Sequence, residues 1–433
     1  MPKLTTAVPA SLTTMIDKLA AAIPARARAT FCELLIGAAA TQGDHVTDTI
    51  LAIGLSRSWT TYFWFLQRGR WSWLAVWQAL LAILKPLTSS SVRHVIIDDT
   101  LVERLSAKAP GSLTHFNHAA KPNRSRFLRG QGWICLAAVV EREWKIGAVP
   151  LMLRLVRRGT NRGKLNSAHF LMRVLGNRLG KVRLLLDAWF MRGWLIRQIV
   201  ADGHCVIGRV RRDIALYLEP KPCKRLGRPR KYGERLTARR ISELPVHRTA
   251  QIMYGNLELV RYRTCRAAAR FLKGAVVRAV WVQLEQPDRP DRPIEERLLL
   301  CTDPTLPATE VIVSYSKRWA IEPLFAALKH QWGLKQAWQQ SRQVLMRWVT
   351  ILAAGYAISQ ILAYSDPAQL AGLAAPAPWR PHRTVTAGLI QAGIGRLLRV
   401  VGLSALMPAK PAKFRPPQRS KTVGTLDLLA STI

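Results

Sequence analysis

His94-Val-Ile-Ile-Asp98-Asp99-Thr100 and Lys181-Val-Arg-Leu-Leu-Leu-Asp187-Ala-Trp-Phe190 are continuous apolar runs that each end in acid. Unbroken runs of this kind read as strands buried on both faces. Acids at the carboxyl ends of neighbouring strands lie at the rim of a sheet, where α/β proteins place their chemistry. Side chains alternate along a strand, so only one of Asp98 and Asp99 can face such a site.

A third acid stands far downstream, in Tyr315-Ser-Lys-Arg318-Trp-Ala-Ile-Glu322-Pro-Leu-Phe-Ala-Ala-Leu-Lys329. Wound as one helix, this stretch gathers Tyr315, Arg318, Glu322 and Lys329 within a roughly 60° sector. Ile321, Leu324, Phe325 and Leu328 supply the apolar remainder, so one carboxylate is framed by two cations and a phenol beside a core-covering face. The plainer reading is a surface helix with an i, i+4 ion pair between Arg318 and Glu322, worth about 0.3–0.5 kcal/mol. Pro323 qualifies the single helix, because the residue before a proline disfavours helical geometry. Either the helix kinks there or it begins later.

The spacing Y-x2-R-x3-E-x6-K, met without a gap by Tyr315, Arg318, Glu322 and Lys329, resembles that of DDE-type transposases of bacterial insertion sequences. The resemblance spans about residues 92 to 335. It implies an α/β protein with an RNase H-like mixed sheet core, built from 91–208 and 306–363 and interrupted by a β-rich insertion at 209–305. Three strands, a helix, a strand, a helix and a strand, read along 92–208, fit that core. The resemblance implies Asp99, Asp187 and Glu322 as catalytic metal ligands, with Asp99 preferred to Asp98 because it directly precedes Thr100. Two Mg²⁺ ions, replaceable by Mn²⁺, suit such a hard oxygen donor set. Arg318 and Lys329 would clamp phosphates flanking the scissile bond, and Tyr315 would hydrogen-bond one. The implied activity is strand cleavage at the ends of an insertion sequence and strand transfer into target DNA, by a homodimer acting on double-stranded DNA. Two alternatives stay open: a transposase-derived repressor that binds without cutting, and an RNase H-like nuclease that cuts without joining.

Charge points to the same partner. Among 433 residues, 65 Lys plus Arg oppose 26 Asp plus Glu, a formal net charge of +39. Such an excess suits a polyanion, with nucleic acid ahead of an anionic membrane. The best spanning candidate, Trp348 to Leu362, is shorter than the roughly 20 apolar residues required and carries Ser359 and Gln360, so it reads as a buried helix. No secretory pattern opens the chain, and the six cysteines form no CxxC motif. A bacterial cytoplasmic, nucleoid-associated protein with reduced thiols is expected.

Several stretches are expected on DNA. Residues 1–90 read as helical, and Asp44–Gly54 followed by Arg57–Arg68 has the form of a helix-turn-helix. The competing reading is a plain bundle with Trp59, Phe63, Trp64, Trp71, Trp73 and Trp77 in its core. The basic link from Leu105 to Gly130, including His115 and His118, reads as a loop along a phosphate backbone. The insertion opens with Arg209, Arg211 and Arg212 and then carries Gly227-Arg228-Pro229-Arg230-Lys231, which resembles an AT-hook. Residues 364–433 read as a Pro/Ala-rich basic extension.

Overall fold

The computed structural model describes residues 7–41, 45–54, 56–88, 92–116, 123, 125–143, 145–156, 161–220, 230–285, 296–366, 370, 373 and 385–408. Helices α1 (Ala10–Ala21), α2 (Arg28–Ala40), α3 (Val46–Ile53), α4 (Trp59–Arg68) and α5 (Trp73–Leu84) come first. Strands β1 (Arg93–Glu103), β2 (Ser112–Phe116), β3 (Phe127–Arg142) and β4 (Lys145–Leu155) follow, then α6 (Asn161–Val174), β5 (Val182–Leu186), α7 (Gly193–Ala201) and β6 (Cys205–Val210). The sheet order β4-β3-β1-β5-β6, antiparallel on one side of β1 and parallel from β1 through β5 to β6, is that of an RNase H-like core. The apolar runs explain it, since Val95 to Ile97 and Leu184 to Leu186 are fully buried.

Two features differ from the expected strands. The first strand does not stop at its acids, because β1 stays paired to β3 as far as Glu103 opposite Gly130. Its pairing to β5 ends at Ile97 opposite Leu186, so from Asp98 onward one edge of β1 is open. The expected basic loop at 105–130 is partly a hairpin, with Ser112–Phe116 paired to β3. His118, Lys121 and Arg124 of that loop lie outside the described residues.

The β-rich insertion contributes β7 (Leu216–Tyr217), α8 (Ala238–Ser242), β8 (His247–Met253), β9 (Asn256–Ala269), β10 (Ala275–Glu285) and β11 (Arg297–Cys301). Its strands continue the core sheet: β11 runs antiparallel to β6, β10 to β11, and β9 to β10. An apolar β6 would otherwise be a bare edge strand, which folded proteins cover.

After the insertion come α9 (Ala308–Ser316), a 3-10 turn (Lys317–Ala320), α10 (Ile321–His330), α11 (Arg342–Ala363) and α12 (Ala387–Leu406). With 22 residues, α11 is longer than the run read from sequence, and it passes for a membrane span by length and hydropathy, as α12 does. Inside the fold, 89% of the apolar window of α11 is buried, against α2, α5, α12 and β4. Arg347 of α11, only 4% exposed, donates to the carbonyls of Leu66, Gly69 and Trp71 and so anchors the link between α4 and α5. Within 364–433, read from sequence as an extension, α12 buries Ile390, Ile394, Leu397 and Leu398 at helical spacing. The aromatics of the N-terminal region divide: Trp71 and Trp77 are core, whereas Trp59, Phe63 and Trp64 of α4 are exposed.

Candidate active site

Alternation along β1 sends its two aspartates to opposite faces. His94 and Asp98 share one face: His94 Nε2 lies 3.0 Å from Ser314 Oγ of α9, and Arg318 Nη1 donates to Asp98 Oδ2 at 3.0 Å. Arg93 and Asp99 share the other. There Arg93 donates to the Leu179 carbonyl, and Lys164 of α6 is paired with Asp99 Oδ2 at 2.6 Å. Asp187 directly follows β5, and one step beyond the Ile97–Leu186 pair the parallel register sets it beside Asp98. The backbone N–H of Phe190 donates to Asp187 Oδ1 at 3.0 Å and fixes that carboxylate.

The electrostatics agree with this placement. Burial, and then the charge of Asp187, push the Asp98 carboxyl up to about 7. Burial also raises Asp187, against the pull of the Phe190 N–H and Arg318. Crowded, partly desolvated carboxylates of this kind form a site that a cation would relieve.

The signature segment is not the single helix expected. Tyr315 ends α9, Arg318 sits on the 3-10 turn, and Glu322 and Lys329 belong to α10. Pro323 falls in the first turn of α10, where a backbone N–H has no intrahelical acceptor, so it costs no bond. The tight turn keeps the four side chains together. Tyr315, Arg318, Glu322 and Lys329 line one cleft of about 570 Å³ with Asp98, Asp99, Asp187 and Arg209. Arg318 lies between two acids, its Nη2 being 3.5 Å from Glu322 Oε1. Among the described residues, no three His, Cys, Asp or Glu residues form a metal-holding group. Burial raises the Tyr315 phenol and lowers the Lys329 ammonium from their ordinary values.

The other expected DNA contacts are scattered. Arg211 pairs with Asp213 and Arg212 with Glu296, outside the cleft. Arg230 and Lys231 are exposed, and Arg228 lies outside the described residues. Lys164 was missed: it is one basic residue in a helical run, and only the fold brings it to Asp99.

A family model described as DDE superfamily endonuclease matches residues 18–267. The chain belongs to this family. In this DDE superfamily endonuclease the match takes in β1, β5 and all three aspartates, and it ends before α9, so the signature segment lies beyond it. Membership supports a nuclease- or transposase-type function with DNA as substrate. No curated protein matches the chain.

Proposed function

We propose that this DDE superfamily endonuclease is a DNA transposase, which cuts at the ends of an insertion sequence and joins them to target DNA. One observation carries the reading: acids from β1, β5 and α10 border a single cleft with the cations of the α9–α10 segment. Asp98, Asp187 and Glu322 are assigned as the metal ligands. Asp98 replaces the expected Asp99 because it shares a face with Asp187 and Arg318, whereas Asp99 is held by Lys164.

The donor set fits Mg²⁺ or Mn²⁺, since all three groups are hard carboxylates and Asp98 is raised by burial and then by the neighbouring Asp187. Held by Asp98, Asp187 and Glu322, a pair of such ions would supply activation of the attacking hydroxyl and neutralisation of the leaving oxygen. Protein groups do the rest. Arg318, now bridging Asp98 and Glu322, is placed to release Glu322 and engage a phosphate oxygen with its planar fork. Lys329 neutralises a flanking phosphate, and the Tyr315 hydroxyl donates to one. Arg209 faces the same cleft and adds a further phosphate contact. Action as a homodimer in the bacterial cytoplasm, at the nucleoid, belongs to the same proposal.

The test is nicking of a labelled duplex carrying the element's own end. Wild type should cut in Mg²⁺ or Mn²⁺, and Asp187→Asn should bind that duplex in Ca²⁺ without cutting. Tight binding with no cutting by wild type in either metal would make the chain a repressor. Cutting without joining would make it a nuclease.

A further inference from the structure

Strands β6 and β11 each bring a cysteine to the seam where the insertion joins the core sheet, and Cys205 Sγ and Cys301 Sγ lie 3.5 Å apart. We propose that this pair is an oxidation site, at which a hydroperoxide converts the two thiols into a disulfide that ties β6 to β11. The inference stands apart from the reading of the cleft, since neither cysteine borders it.

The placement follows from the strand pairing. Cys301 is opposite Ile207, and Cys205 is two residues from Ile207 on the same face of β6, so the two side chains are diagonal neighbours. Beyond Cys301 the chains stay tied: the Thr302 N–H donates to the Val206 carbonyl and the Val206 N–H to Thr302 Oγ1, each at 2.9 Å. The sulfurs are thereby held in contact. A disulfide bond is about 2.05 Å long, so little further approach is needed. Among the described residues no other two thiols touch.

The two thiols are also unlike. Cys301 is fully buried, whereas Cys205 is partly exposed and so within reach of a small oxidant. The Cys301 S–H donates to Cys205 Sγ, and the Thr302 hydroxyl at 3.9 Å and the Asp303 N–H add to it. Against burial, these donors hold the Cys205 thiol below its ordinary value, and the shared bond holds Cys301 above. Burial raises Cys32, Cys135 and Cys265 instead.

Thiolate is the reactive form, so Cys205 attacks first. Its sulfur bonds to one oxygen of hydrogen peroxide, the O–O bond breaks, and the other oxygen leaves as hydroxide, which takes up the proton that Cys205 released. The Cys301 sulfur then attacks the sulfenic sulfur, the S–O bond breaks, and the hydroxyl departs with the Cys301 proton as a second water. Both sulfurs are oxidised and both peroxide oxygens reduced, with no further reactant. The bond closes a loop that holds the insertion strands β7 to β10, and a cross-link across so long a loop narrows the unfolded ensemble.

The test treats the full-length reduced protein with hydrogen peroxide, blocks the remaining thiols in denaturant and maps the peptides by mass spectrometry. Wild type should lose two free thiols and yield a Cys205–Cys301 linked peptide that dithiothreitol reverses, and it should melt higher oxidised than reduced. Cys301→Ser should instead leave Cys205 as a sulfenic acid that dimedone traps, and Cys205→Ser should show neither the linked peptide nor the rise in melting. The wild-type map needs no variant to fold. Both thiols still free after peroxide, Cys205 converted to a sulfinic acid, or Cys205 joined to any other cysteine would overturn the proposal.

Discussion

Asp98 and Asp99 are the same side chain one residue apart, and the proposed ligand set separates their roles by the side of β1 each occupies. Asp98→Asn should abolish nicking while leaving duplex binding in place, because a neutral amide cannot replace an anionic ligand. Asp99→Asn should cost far less, on the order of tenfold, since it only frees Lys164. Single-turnover nicking decides; loss of cutting in Asp99→Asn alone would return the ligand role to that residue. A pH effect follows from the same burial. The Asp98 carboxyl, raised from 3.8 to about 7, keeps its proton in the folded state where the unfolded chain has lost it. Between about pH 4 and 7 the unfolded state therefore binds fewer protons, and this group's contribution to stability falls as pH rises. Thermal melts in EDTA should show a shallower decline over that window for Asp98→Asn than for wild type. Alternation was legible in the sequence, so although both aspartates border the cleft, only one could share a face with Asp187. Which one depends on the register with β5, and no local signal carries a register set across so much intervening chain.

At the scale of elements, the apolar runs announced their strands, whereas the boundaries and partners of those strands did not follow from them. β1 outlasts β5 because its other edge stays paired to β3 as far as Glu103, and a run of sequence cannot show that a neighbour has ended. The insertion read correctly as β-rich, but the docking of β11 on β6 is a non-local pairing with no motif behind it. Pro323 suggested a kink or a late start, and the 3-10 turn answers to both. α12 was hidden by its Pro- and Ala-rich surroundings, although Ile390, Ile394, Leu397 and Leu398 carried the helical period. Arg347 is the least legible: in the apolar part of a long helix an arginine reads as a flaw, yet it anchors the link between α4 and α5. Arg347→Leu should destabilise the protein by about 3 kcal/mol, since buried carbonyls lose their charged donor. Chemical denaturation measures this, and a loss under about 1 kcal/mol would mean that water replaces the guanidinium.

For the molecule as a whole, the net charge of +39 was the plainest signal, and the fold shows that the cations do different work. Arg347 and Arg104 hold carbonyls inside the fold, Arg318 bridges acids in the cleft, and Arg211 and Arg212 pair with acids at the surface. Total charge therefore overstates the DNA-facing charge, and only the salt dependence of binding counts what is used. Each phosphate neutralised contributes about 0.9 to the slope of log affinity against log salt, through release of condensed counterions. Surface ion pairs such as Arg211–Asp213 are worth about 0–1 kcal/mol and yield readily to a phosphate, so they remain available to DNA. Arg230 and Lys231 are exposed, and with Arg228 they form the basic stretch of the insertion. Replacing these three by Ala should lower the slope by about two to three units, weaken all duplexes alike, and leave cutting intact at low salt. An unchanged slope would place the insertion off the DNA, and its strands would then serve only to cover the edge of β6.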